Sequence, residues 1–105
     1  MSKEIIKDVI DKVLTENGIK SYKIVLFGSR ARQNHKKDSD WDILIITEKE
    51  LTRREKMELA HAIRKILAQK FIPCDLLLKS EREVNKRKGV IGSVVKQAIK
   101  EGIIL

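Results

Sequence analysis

Two aspartates one residue apart, Asp40 and Asp42, are the side chains whose type and spacing best suit chemistry. They head an apolar run, Trp41-Asp42-Ile43-Leu44-Ile45-Ile46-Thr47, which predicts a strand over 41–47. Side chains alternate along a strand, so the two carboxylates share a face, about 6–7 Å apart along the backbone. Carboxylates that close repel unless a positive charge sits between them. Their hard oxygens suit a divalent ion such as Mg²⁺. An earlier apolar run, 22–27, ends in Gly28-Ser29 and leads into a short turn-and-helix segment with Arg30 and Arg32. Glycine lets a ligand approach the backbone closely. N–H groups at the start of a following helix favour an anion such as phosphate. The Ser29 hydroxyl adds a donor, and Arg30 or Arg32 a charge. For Arg30 the other reading is a surface salt bridge, since the motif sets its place but not its direction. A phosphate cradle beside a metal-binding carboxylate pair is the layout that phosphoryl or nucleotidyl transfer needs.

The surrounding elements can be read from periodicity. Ile5, Ile6, Val9, Ile10, Val13 and Leu14 form one stripe, which predicts a helix over 3–16 closed by Asn17-Gly18. The strand at 22–27 is apolar enough to be buried on both faces. In the loop at 34–39, Lys36 and Lys37 are either solvated charges or reach a triphosphate, and His35 is given no role. Trp41 faces away from Asp40 and Asp42 and is expected to pack under a helix. Thr52-Arg53-Arg54-Glu55 is a capping box that starts a helix running to about 69. Leu59, Ala60, Ile63, Ile66 and Leu67 point to its core, with Met57, His61 and Arg64 off that stripe. A third strand is predicted at about 74–79, with Pro73 before it and Cys74 as a small packing residue. Asp75 on that strand would, taken alone, be an edge carboxylate paired with a nearby cation. Ser80-Glu81-Arg82-Glu83 is a second capping box, opening a short helix over 81–88. Gly89 and Gly92 weaken helix there, and Val90, Ile91, Val94, Val95, Ala98 and Ile99 form a last stripe that Gly102 ends. Ile103-Ile104-Leu105 reads as a final strand or an apolar tail for a partner. The order α-β-α-β-α-β-α, with no linker, predicts one α/β domain over 1–105, built on a small mixed sheet flanked by helices.

Composition bounds the reading. A chain of 105 residues is one domain and buries roughly 65% of its unfolded surface. Lys and Arg number 23 against 15 Asp and Glu, a net charge of +8 that attracts nucleotides, RNA or acidic protein surfaces. Aromatics are 4% of the chain, and no helix-turn-helix, zinc finger or aromatic RNA-binding motif is present, so nucleic acid is not the expected partner. The single cysteine rules out an internal disulfide and fits a reducing cytoplasm. No apolar run nears the ~18 residues of a membrane span.

Gly28-Ser29-Arg30-Ala31-Arg32 followed by Asp38-Ser39-Asp40-Trp41-Asp42 resembles the signature of the DNA polymerase beta-type nucleotidyltransferase superfamily, and within it the minimal nucleotidyltransferases of prokaryotes. Gln33 departs from the pattern, which often has Gly there. The resemblance implies a third carboxylate on a later strand, and Phe71-Ile72-Pro73-Cys74-Asp75-Leu76-Leu77-Leu78 supplies Asp75 in a matching context. It further implies catalysis by Asp40, Asp42 and Asp75 with two Mg²⁺ ions and ATP as substrate, and Gly28, Ser29 and Arg30 binding the nucleotide. Members of that family often serve as antitoxins that move AMP from ATP onto a tyrosine of a small helical HEPN toxin. The core fold uses the whole chain, so a HEPN protein or a second copy is expected to complete the site. Apolar residues on both faces of the strand at 41–47 fit a sheet whose second face such a partner covers. The rival reading is an antitoxin without turnover that neutralises its partner by contact alone.

Overall fold

The computed structural model describes residues 2–28, 40–87, 100 and 102–105. Its elements are α1 (Ser2–Glu16), β1 (Tyr22–Phe27), β2 (Trp41–Thr47), α2 (Arg53–Gln69), β3 (Cys74–Ser80), α3 (Glu81–Arg87) and β4 (Ile103–Ile104). The expected helical segment with Arg30 and Arg32, the loop at 34–39 and the stripe at 90–99 lie outside the described residues.

α1 follows its apolar spacing, with Ile6, Ile10 and Leu14 fully buried beside Val9 and Val13. Ile5, counted in the same stripe, is instead exposed. Its place at the stripe's margin explains this, because only about 100° of a surface helix faces the core. Gly18 at φ +77° ends the helix, and the Ile19 N–H donates back to the Leu14 carbonyl at 2.9 Å. α2 starts at the expected capping box. Glu55 N–H donates to Thr52 Oγ1 at 3.1 Å, and Thr52 N–H donates to Glu55 Oε1 at 2.9 Å.

The strands order as β3-β2-β1-β4. β1 runs antiparallel to β2 and to β4, and β2 runs parallel to β3. A parallel pair needs a crossover, which α2 supplies between β2 and β3. α1 and α2 cover one face of the sheet, where Ile24, Leu26, Ile43, Ile45 and Leu78 join the main core. Trp41 packs at the edge of that core, as its alternation predicts. On the other face Val25, Leu44 and Ile46 are buried around Val84 of α3, with Phe27 and Leu77 against them. The second face of β2 is therefore covered within the chain, not by a partner or second copy as the apolar pattern suggested. Burial on both faces demands the same apolar composition whichever chain provides the cover. α3 is held over it by the second capping box. Glu83 N–H donates to Ser80 Oγ at 3.2 Å, and Ser80 N–H donates to Glu83 Oε1 at 3.0 Å.

Candidate active site

The register of the parallel pair decides where the carboxylates meet. Asp42 on β2 is aligned with Asp75 on β3, so their backbones lie one strand spacing apart, about 4.8 Å. Trp41 and Cys74, one residue earlier on each strand, turn into the main core. Alternation then sends Asp42 and Asp75 to the opposite face, at the end where both strands begin. The Trp41 N–H donates to the Pro73 carbonyl at 3.0 Å, which ties the two strand starts together. Asp40 stands just before β2 and is exposed, as is Asp75, while Asp42 is half-buried.

β1 brings in the third part of the site. Phe27 pairs with Asp42 in the antiparallel register, so Gly28 follows directly beside the carboxylate. Gly28 has φ +75°, a conformation that side chains strain to adopt. A Cβ built on Gly28 would overlap Asp42 Oδ2 and lie 3.1 Å from Asp42 Cγ. The absence of a side chain at 28 is thus what allows the Asp42 carboxylate to lie against the turn. The sequence motif assigned Gly28 to ligand approach, and its contact with Asp42 is a second, internal demand on the same residue.

The electrostatics follow from this crowding. Partial burial holds the Asp42 carboxyl above the usual carboxylate range, and the negative charges of Asp75 and then Asp40 raise it further. Among the described residues no Lys or Arg forms an ion pair with any of the three. The Cys74 thiol beside them is buried and pushed up to about 11, chiefly by that burial, so it is a packing group and not a nucleophile.

Among the described residues no three His, Cys, Asp or Glu side chains are gathered closely enough to enclose a metal ion. The donor set nevertheless suits Mg²⁺, which takes one or two carboxylates and completes its shell with water and substrate phosphates. Ser29 and Arg30, expected to contact the nucleotide, lie outside the described residues. The structure thus gathers Gly28, Asp42 and Asp75, with Asp40 at the margin and close enough for its charge to act on Asp42.

A family model described as polymerase beta, nucleotidyltransferase matches residues 8–105. Among solved structures, the chain is similar to a toxin–antitoxin complex with AMP-PNP. The identity is 25% and the TM-score 0.59, over 92% of this chain and 69% of that one. A mutant of the toxin–antitoxin MntA-HpeT is 27% identical, with a TM-score of 0.60 over 94% of this chain and 70% of that one. A tri-AMPylated Shewanella oneidensis HEPN toxin in complex with MNT antitoxin is 24% identical, with a TM-score of 0.57 over 96% of this chain and 69% of that one. That last likeness is one of fold. No curated protein matches the chain in sequence.

Proposed function

The chain belongs to the polymerase beta nucleotidyltransferase family, and from that premise we propose that it transfers AMP from ATP to a protein hydroxyl, the acceptor being a HEPN toxin that it neutralises. The observation that carries the reading is the meeting of Gly28, Asp42 and Asp75 at one end of the sheet, with Asp42 pressed by two further negative charges. Its similarity to toxin–antitoxin structures, one of them with AMP-PNP, supports the nucleotide and the setting.

In this reading Asp40, Asp42 and Asp75 hold the Mg²⁺ ions. The chemistry that bound Mg²⁺ supplies is neutralisation of the triphosphate and polarisation of its α-phosphorus. Gly28 leaves the backbone open to the phosphates, Ser29 donates its hydroxyl, and Arg30 offsets their charge. Asp75 orients the acceptor hydroxyl and accepts its proton as the oxygen attacks. The new O–P bond forms as the bond to the β-phosphate breaks, and pyrophosphate leaves. A tyrosine hydroxyl is the acceptor implied by the resemblance to minimal nucleotidyltransferases. A reducing cytoplasm is the matching compartment for a chain with one buried free thiol.

The test is incubation with α-labelled ATP, Mg²⁺ and the HEPN protein encoded beside this chain. Label should appear on the HEPN protein and vanish with Asp40→Asn. Tight binding without label, in either Mg²⁺ or Mn²⁺, would replace transfer by neutralisation through contact alone.

A further inference from the structure

The C-terminal end of α2 carries a residue that the fold has no use for. The Phe71 N–H donates to the Ala68 carbonyl and the Ile72 N–H to the Leu67 carbonyl, at 3.0 and 2.9 Å. This is the paired ending in which the residue after the cap turns left-handed, a position glycine fills most easily. Here it is Phe71, at φ 60°, and the residue is 93% exposed. A bulky residue strains this conformation and gains nothing from burial. Strain at a side chain that packs against nothing points to a use outside the fold.

Phe71 does not stand alone. Met57, His61, Arg64 and Ala68 follow one another at helical spacing along the solvent face of α2, and Phe71 stands just past the C-terminal end of that helix. With Lys65 those four line a shallow groove of about 520 Å³. Met57 is 65% exposed, so the face is apolar at both ends and basic between them. The nearest carboxylates on α2 are engaged elsewhere. Glu55 closes the capping box, and Glu58 pairs with Arg54 at 3.2 Å. The face therefore complements an acidic surface that offers an apolar pocket. It also reaches the catalytic end of the sheet, because Phe71 precedes Asp75 by four residues, at most about 14 Å of chain.

We propose that this face of α2 docks the acceptor protein, with Phe71 as its anchor and Arg64 and Lys65 meeting acidic groups on the partner. The proposal rests on the protein-acceptor reading and deepens it by naming the contact surface. A nucleic acid is the less favoured occupant, since non-specific single-strand grooves stack successive bases on several aromatics and this face has one.

The experiment compares the parent chain with Phe71→Gly and Arg64→Glu. Melting temperature, ATP affinity, affinity for the HEPN protein and affinity for a labelled single-stranded RNA are measured for each. Phe71→Gly relieves the backbone, so it should melt no lower than the parent and bind ATP equally well. Its Kd for the HEPN protein should weaken roughly tenfold or more, and Arg64→Glu should weaken it too. A Kd within about twofold of the parent for both variants would overturn the docking face while leaving transfer intact. Selective loss of RNA affinity would assign the face to nucleic acid and overturn it as well. A parent chain that neither binds nor labels the HEPN protein would overturn both readings.

Discussion

Gly28 and Asp42 are a matched pair with opposite consequences for stability. Replacing Gly28 by Ala forces a side chain into φ +75° and against the Asp42 carboxylate. The left-handed conformation alone costs about 1–2 kcal/mol, and the collision adds to it. Asp42 works the other way. Its folded-state carboxyl is raised above the ordinary value of 3.8, by burial and then by Asp75 and Asp40. A raised carboxyl favours the folded state most below that ordinary value, and the benefit is lost as pH rises through the folded value. At pH 7 the charged Asp42 therefore opposes folding unless a cation joins it. Asp42→Asn should leave the melting temperature equal or higher in EDTA, whereas Gly28→Ala should lower it. Excess Mg²⁺ with ATP should raise the parent's melting temperature and leave that of Asp42→Asn unmoved. Thermal melts of the three proteins with and without Mg²⁺–ATP check this. A drop for Asp42→Asn in EDTA would mean the carboxylate is a structural group and not a repelled one.

At the scale of elements, Glu83 joins three of them. It caps α3, accepts from Lys56 of α2 at 2.5 Å and lies 3.9 Å from Lys79 of β3. Burial works to raise its carboxyl, but the hydrogen bonds from Lys56 and from the Ser80 N–H, with the Lys79 charge, hold it below the usual range. A lowered carboxyl stabilises above its unfolded value, near 4.5, and that stability is lost as pH falls through the folded value. Glu83→Gln keeps an acceptor for the cap and removes the charge. It should cost about 1 kcal/mol at pH 7 by urea unfolding. The difference from the parent should shrink steadily below pH 4.5. The elements themselves were largely legible. The apolar runs at 22–27 and 41–47 became β1 and β2 with those limits, and both capping boxes formed where Thr52 and Ser80 announced them. Pairing across the sheet was not legible. The alignment of Asp42 with Asp75 depends on a parallel pairing made through a crossover, and the crowding of Gly28 against Asp42 depends on an antiparallel pairing. Neither can be read from spacing within a single strand. Likewise Leu44 and Ile46 announced a covered face without saying that Val84 of the same chain covers it. Phe71 was hidden because its helix ends in a left-handed turn without the glycine or asparagine that would mark one.

The molecule as a whole carries +8, with Lys and Arg at 23 and Asp and Glu at 15. Three of the carboxylates gather at the candidate site, at the start of β2 and β3. One basic surface is the solvent face of α2, which carries Arg64 and Lys65, while Glu55 and Glu58 of the same helix are taken up by the capping box and by Arg54. A field of this kind acts mainly on how fast an acidic partner arrives and less on how long it stays. Exposed charges are screened beyond about 10 Å at 0.1 M salt and about 3 Å at 1 M. Association of the HEPN protein should therefore slow roughly tenfold between about 0.05 and 0.5 M salt, with a much smaller change in dissociation. Arg64→Glu should flatten that salt dependence, while Phe71→Gly, which removes an apolar anchor, should speed dissociation and leave the slope of association unchanged. Stopped-flow association and surface-based dissociation of the three proteins separate the two effects. Association indifferent to salt would mean that the contact is apolar throughout and that the net charge serves the triphosphate instead.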